Sequence, residues 1–429
     1  MIPRLLVFFY YAFYLIGFEG SEIIGVTSAR ILGFVPAGLY LAYRTGQAIL
    51  RPGPVFLSRR MRRSKVFLVF LYIAAYCLLY LVTRQTGGPL SSGAVFGYAY
   101  AAVLLIHATF WYNIFFDPVY RNDRMKLVRD TLGGIVVTFL VLGFLPAVSV
   151  GELRPGGLYD VRDRVPFFIT SLDTPLLAAI AGLISWAGIQ RMWQKRQSSG
   201  VGQIVLGLVV FALALYTLVL YSRRGPLFGF VVVFMAMLFV PILSRLRLSY
   251  GLLSLGAAPF LWSYAVQILT FLTQNEVVTS LVARNRIHTY ETATGRLGAW
   301  EKIIDVIANV RLQHLWGYGE SALLLGYGVI SHAHNTYLQL FYETGLIGLV
   351  PALILIFSTL GDLNEMVREQ KQSAEMLALW SIFVLLIVVS ATESLMRNIF
   401  ISHLIIIQIF ITSSYLRSGK EEKSSSILN

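Results

Sequence analysis

The sequence predicts an all-α membrane protein, a polytopic bundle of about twelve transmembrane helices with a long helical loop on one face. Three observations predict it. Of the 429 residues, 56 % are apolar and only 13 % charged, and the mean hydropathy is +0.69; a soluble domain carries about 25 % charged residues. The apolar residues gather in runs of roughly 18–25, long enough to cross a bilayer as helices. The Lys and Arg residues of most connecting loops fall on one common side. This composition excludes an ordinary soluble enzyme, a disordered chain and a disulfide scaffold. Cys77 is the single cysteine, so neither an intrachain disulfide nor a cysteine zinc cluster can form. The net charge of +13 in so apolar a chain points to membrane orientation and anionic partners, not to nucleic acid.

The runs lie at 5–23, 31–50, 66–83, 93–116, 132–150, 169–189, 201–221, 226–243, 250–272, 336–357, 376–395 and 399–416. The first has Gly17-Phe18-Glu19-Gly20 where a small-residue cleavage motif would stand, so it reads as an uncleaved span. With twelve spans, the loops bearing Arg59 to Lys65, Arg121 to Arg129, Arg191 to Arg196, Arg245 and Arg247, Arg368 and Lys371, and the tail from Arg417 all share the side of Arg4. By the positive-inside rule that side is cytoplasmic, and both termini lie there. Eleven or thirteen spans would break the alternation.

On the other side the connections are short except for 151–168 and, above all, 273–335. A loop of that length is usually functional. Within it Leu297, Trp300, Ile304 and Ile307 recur at helical spacing with Arg296, Glu301, Lys302 and Asp305 between them, the pattern of an amphipathic helix on a membrane surface or over a cavity. The chain shows no internal repeat and reads as one integral membrane domain, 1–429.

The outer side should be poor in arginine, yet it holds Arg154, Arg162, Arg164, Arg223, Arg224, Arg284, Arg286, Arg296, Arg311 and Arg397. Arg223 and Arg224 occupy a very short turn at the membrane boundary. Guanidinium forks match phosphate oxygens and stay charged, which suits a lipid-borne phosphate at headgroup depth. Pairing with Glu152, Asp160, Asp163, Glu276, Glu291 or Glu301, or with lipid headgroups, is the alternative. A second feature, His332-Ala333-His334-Asn335-Thr336, ends the long loop and opens the tenth span. Neighbouring positive charge lowers a histidine pKa, so either imidazole is a candidate general base. The H-x-H pair lacks a third ligand motif, so no metal site is expected. Glu19, Glu22, Arg44, Glu393 and Arg397 lie in spans or near their ends, where ionisable groups are functional candidates or snorkel to the interface.

These segments, taken in order, resemble the O-antigen ligase superfamily, which also includes O-antigen polymerases. The residues that carry the resemblance are Arg296-Leu-Gly-Ala-Trp300, Leu315-Trp-Gly317-Tyr-Gly319, His334-Asn335-Thr-Tyr337-Leu338-Gln339 and Glu343-Thr-Gly345-Leu-Ile-Gly348, preceded by Ser222-Arg223-Arg224-Gly225-Pro226. Together they span 222–348. The doubled arginine leaves open which of Arg223 and Arg224 matches the family's single one.

The resemblance implies a metal-independent, cofactor-free glycosyltransferase of the bacterial inner membrane that works at its periplasmic face. The donor would be an undecaprenyl-diphosphate-linked glycan. The acceptor would be lipid A core for a ligase, or a second lipid-linked glycan for a polymerase, with ligation the leading reading. It further implies that Arg224 or Arg223, with Arg296, holds the diphosphate and that His334 takes the acceptor's proton. Asn335 and Glu343 match family positions as orienting residues, and Arg284, Arg286 and His332 are supporting candidates. A lipid-linked oligosaccharide flippase is the reading from another class. It would place charge along a midplane path and show two similar halves, neither of which is seen.

Overall fold

The computed structural model describes residues 38–39, 42–43, 65, 67–73, 105–106, 108–112, 114–116, 124–144, 173–195, 201–221, 224–238, 315–317, 335–369, 373–393 and 405–414. Among them the regular elements are helical and no strand occurs. Helix α1 (Arg124–Thr138) runs into a π-helical turn, Phe139–Phe144. It is followed by α2 (Asp173–Lys195), α3 (Val201–Tyr221), α4 (Arg224–Leu238), α5 (Thr336–Glu369), α6 (Ala374–Ser390) and α7 (Ile405–Ser414).

Among the described residues, three segments are long and apolar enough to cross a membrane: Thr174–Trp193, Val201–Tyr221 and Thr336–Arg368. Helices α4, α6 and α7 are apolar but shorter. The expected spans 5–23 and 250–272 and the amphipathic segment 296–311 lie outside the described residues, as does most of 31–50. Where helices are described, α3 occupies the expected 201–221. The helix in the region of the expected span 132–150 begins at Arg124, ahead of the apolar run, and Leu127 and Val128 in its polar first turns are buried in the core.

Helix α6 organises the bundle: it packs against α2, α4 and α5, and α2 lies along α3. Its sequence is apolar all round; the stripe Met376, Leu379, Phe383, Leu386 and Val389 is buried, as are Ser381 and Leu385 beside it, while Leu377, Val384 and Val388 are half-buried. In an apolar solvent, helices associate through close packing and polar contacts. Gly229 of α4 provides such an approach, since a Cβ there would lie 2.7 Å from Val389 Cγ2 of α6. Thr131, Thr138, Thr217 and Thr359 donate their hydroxyls to the carbonyl four residues back, so these hydroxyls enter the core already paired.

One end of the bundle is tied by ion pairs. Ser373 caps α6, its Oγ accepting from the Met376 N–H. Glu375, ahead of the apolar run, accepts from Arg129 at 2.8 Å and from Arg191 at 2.9 Å. Lys65 pairs with Asp362 of α5 and also donates to Ser358 O at 2.7 Å. Two of the basic segments assigned to a common side thus meet on one carboxylate. Burial works against the charge of Glu375. Its own backbone N–H, the Arg129 guanidinium, Ser373 and the Arg191 charge outweigh that and hold the carboxyl below the ordinary range.

A depressed folded-state pKa stabilises the fold above the ordinary glutamate pKa, and that stability is lost as pH falls through the folded value. Glu375→Gln should therefore lower the melting temperature of the protein in detergent at neutral pH, at a cost of about 1–3 kcal/mol. The gap between variant and wild type should close as the medium is acidified below about pH 4. A gap that does not depend on pH would show that the charge is not what Glu375 contributes.

Candidate active site at the meeting of three helix ends

At the opposite end of the bundle, the site is built on a helix start. Asparagine is among the best N-cap residues because its short side-chain carbonyl reaches the exposed N–H groups of the first turn. Asn335 Oδ1 accepts from Tyr337 N–H and Leu338 N–H, both at 3.0 Å, and its backbone carbonyl accepts from Gln339 N–H at 2.9 Å. The cap is also a tether: Asn335 Nδ2 donates to Ala391 O at 3.0 Å, just beyond the end of α6.

Two further side chains of this turn reach the same place. Thr336 Oγ1 donates to Glu393 O at 2.7 Å, and the Tyr337 hydroxyl donates to Ile387 O at 3.2 Å. The last carbonyls of a helix have no partner within it. Here the first turn of α5 supplies donors to the closing residues of α6 and to the turn Ala391–Glu393. That turn is itself wound back onto α6, because the N–H groups of Ala391, Thr392 and Glu393 donate to Val388 O and Val389 O at 2.9–3.1 Å.

The start of α4 closes on the same turn. Arg224 opens this helix, and Pro226 sits in its first turn, where no N–H is needed. Gly225 lies against the turn so closely that a Cβ would be 3.1 Å from Thr392 Oγ1 and from both Cγ and Oε1 of Glu393. Ala391–Glu393 therefore touches α4 one residue after Arg224 and α5 one residue after His334.

Helix α5 is not one rod. At 34 residues it would extend about 51 Å, against a hydrocarbon core of about 30 Å. It breaks at Gly345, whose φ of 61° is closed to most residues. Gly317, with φ 81°, packs into the break: a Cβ on Gly345 would lie 2.5 Å from Gly317 N and Leu315 O, and one on Gly317 would lie 2.5 Å from Glu343 O. The short piece before the break carries a buried polar pair, Gln339 Nε2 donating to Glu343 Oε1. The expected continuous span 336–357 is thus two helices joined at a left-handed glycine, with the loop segment Leu315–Gly317 wedged between them.

Of the residues singled out in the sequence, Asn335 and Glu343 lie on this short helix, and Arg224 opens the neighbouring one. His332, His334, Arg223, Arg284, Arg286 and Arg296 lie outside the described residues. Sequence reasoning did not place Thr336, Gln339 or the Ala391–Glu393 turn at the site. Glu393 stood out only as an ionisable group near a span end. The available signal was the polar cluster Ser390-Ala391-Thr392-Glu393-Ser394 closing an apolar run.

Residues 209–353 match the O-antigen ligase family model. No curated protein matches the chain. The matched region contains α4, Gly317, the Asn335 cap and the Gly345 break, and it supports a membrane protein of the O-antigen ligase and polymerase superfamily. The Ala391–Glu393 turn lies beyond it.

The packing of Gly317 on Gly345 yields a direct expectation. At φ 61°, ψ −161°, a region essentially confined to glycine, a residue with a Cβ costs about 1–3 kcal/mol, and overlap with backbone atoms adds to it. Gly345→Ala should markedly lower the melting temperature in detergent. Gly202→Ala should be near neutral: a Cβ there meets nothing within 4 Å. Equal, small effects from both would contradict the interlocked glycines.

Proposed function

We propose that this protein is a glycosyltransferase that moves a glycan from undecaprenyl diphosphate to an acceptor hydroxyl at the periplasmic face of the bacterial inner membrane. The observation that carries this reading is the turn Ala391–Glu393, which fixes the helix begun by Arg224 and the helix that follows His334-Asn335 to one point. A phosphate-holding residue and a proton acceptor need that proximity. In this reading twelve spans put both termini in the cytoplasm and 273–335 outside.

In the reaction, the acceptor oxygen attacks the anomeric carbon as its proton passes to the His334 imidazole. The bond from that carbon to the diphosphate oxygen breaks, its electron pair leaves with the diphosphate, and the anomeric centre inverts. Arg224 or Arg223, with Arg296, neutralises the charge that grows on the leaving diphosphate. No metal is required. Asn335 holds the backbone that bears His334, and the Gln339–Glu343 pair stiffens the helix behind it. The helix N-terminus at Asn335 and the arginines disfavour a second positive charge, so the histidine is a neutral base near pH 7.

Ligation to lipid A core is the leading form of this activity. The single dominant outer loop, 273–335, favours ligation, while the surplus of outer arginines, Arg154, Arg162, Arg164, Arg284 and Arg286, suits equally a polymerase that holds two lipid diphosphates and a ligase that meets a phosphorylated core. Purified protein supplied with the lipid-diphosphate glycan and either lipid A core or a second lipid-linked glycan should transfer to one of them in detergent, where transport has no meaning. His334→Ala should lose about 10²–10⁴-fold in rate while still binding donor, and His332→Ala should retain substantial activity. Arg296→Ala should fail, and Lys at 296 should restore activity only in part, because it lacks the planar fork. Equal loss from both histidines with zinc-reversible inhibition by EDTA would replace this mechanism with a metal site.

A further inference from the structure

The Ala391–Glu393 turn contains one ionisable residue, and it lies outside the region matched by the family model. We propose that Glu393 is a positioning residue that sets the spacing between the arginine turn and the His334-Asn335 segment. The inference rests on the glycosyl-transfer reading above and adds a residue to it.

Glu393 faces both halves of the site through different atoms. Its backbone carbonyl accepts from Thr336 Oγ1 at 2.7 Å and so holds the start of α5. Its carboxylate flanks the start of α4, with Oε1 and Cγ each 3.1 Å from where a Gly225 Cβ would stand. Its N–H donates to Val389 O at 2.9 Å, so the residue is continuous with α6, a largely buried helix.

The chemistry of the location favours a carboxylate that acts on α4. A helix N-terminus presents N–H groups without intrahelical partners and attracts negative charge. Glycine at 225 leaves the room that lets the carboxylate approach that turn. A negative group this near a diphosphate site would repel the donor if it faced the phosphate itself. Set against the first turn of α4, it instead fixes the backbone from which Arg224 projects. Glu393 therefore acts through the arginine turn and touches no reacting atom.

The test uses the full-length protein in detergent, with undecaprenyl-diphosphate-linked glycan as donor and whichever acceptor supports transfer. Glu393→Gln keeps the backbone carbonyl and the shape but removes the charge. It should lower the melting temperature only slightly and raise the donor KM about two- to thirtyfold, with kcat and acceptor KM little altered. Glu393→Asp should recover part of the loss. Gly225→Ala, which pushes a methyl against the same carboxylate, should raise donor KM as well. The double variant should be little worse than the worse single, because both remove one interaction.

Wild-type donor KM in Glu393→Gln would overturn the proposal, as would effects of the two variants that simply multiply. If Glu393→Gln does not fold, Gly225→Ala alone decides: an unchanged donor KM refutes the role. His334→Ala is run alongside. If it transfers normally, the glycosyl-transfer reading itself fails. If it is inactive while Glu393→Gln behaves as wild type, only the role of Glu393 falls.

Discussion

The end of α6 must satisfy its last carbonyls inside an apolar assembly, and the rest of the site follows from how it does so. A carbonyl left bare at membrane depth costs several kcal/mol. At the closing turn of α6 the donors are the amide of Asn335 and the hydroxyls of Thr336 and Tyr337, all from the first turn of α5. The requirement to pair backbone polar groups therefore also fixes where α5 begins. Because α6 is buried among α2, α4 and α5, that starting point inherits the rigidity of the core.

The glycines complete the arrangement by letting backbones approach. Gly225 and Gly229 bring α4 onto α6, so the helix opened by Arg224 arrives at the same turn. Gly345 divides α5, and Gly317 fills the division. The result is a short, separately held helix, Thr336–Thr344, ahead of the long membrane segment. Both of its ends are fixed, one by the α6 turn and the other by Leu315–Gly317. At the other end of the bundle, Glu375 gathers Arg129 and Arg191 and anchors α6 against α1 and α2.

Much of this was legible in the sequence, for identifiable reasons. Hydropathy located α3 at 201–221 and the start of α5 at Thr336, because a long apolar run bounded by polar residues has one solution in a bilayer. Hydropathy could not show the break at Gly345. Averaging over a window hides a single glycine, and Leu346-Ile347-Gly348-Leu349 keeps the run apolar. The early start of α1 was hidden by the charges of Arg124–Asp130, although Leu127 and Val128 among them are core residues. Asn335 and Glu343 were singled out because they stand in a recognisable motif, and the structure sets both on the short helix. Thr336–Glu393 was not, because 57 residues separate the partners and nothing local to either specifies the other. Arg129, Arg191 and Glu375 illustrate the same limit: the loops assigned to one side are visible as charge, but the carboxylate that joins them is not.

The central claim is that the turn after α6 abuts the start of α4, and a cross-link tests it most directly. Cysteines at 225 and 392, in a Cys77→Ser background, would stand within a disulfide's reach, since a Gly225 Cβ lies 3.1 Å from the Thr392 Oγ1 that a sulfur would replace. Mild oxidation of native membranes should join them in high yield, while a 225–384 pair, with its second cysteine two turns back along α6, should stay reduced. An unlinked 225–392 pair in protein that is otherwise folded, or an equally efficient 225–384 link, would contradict the account.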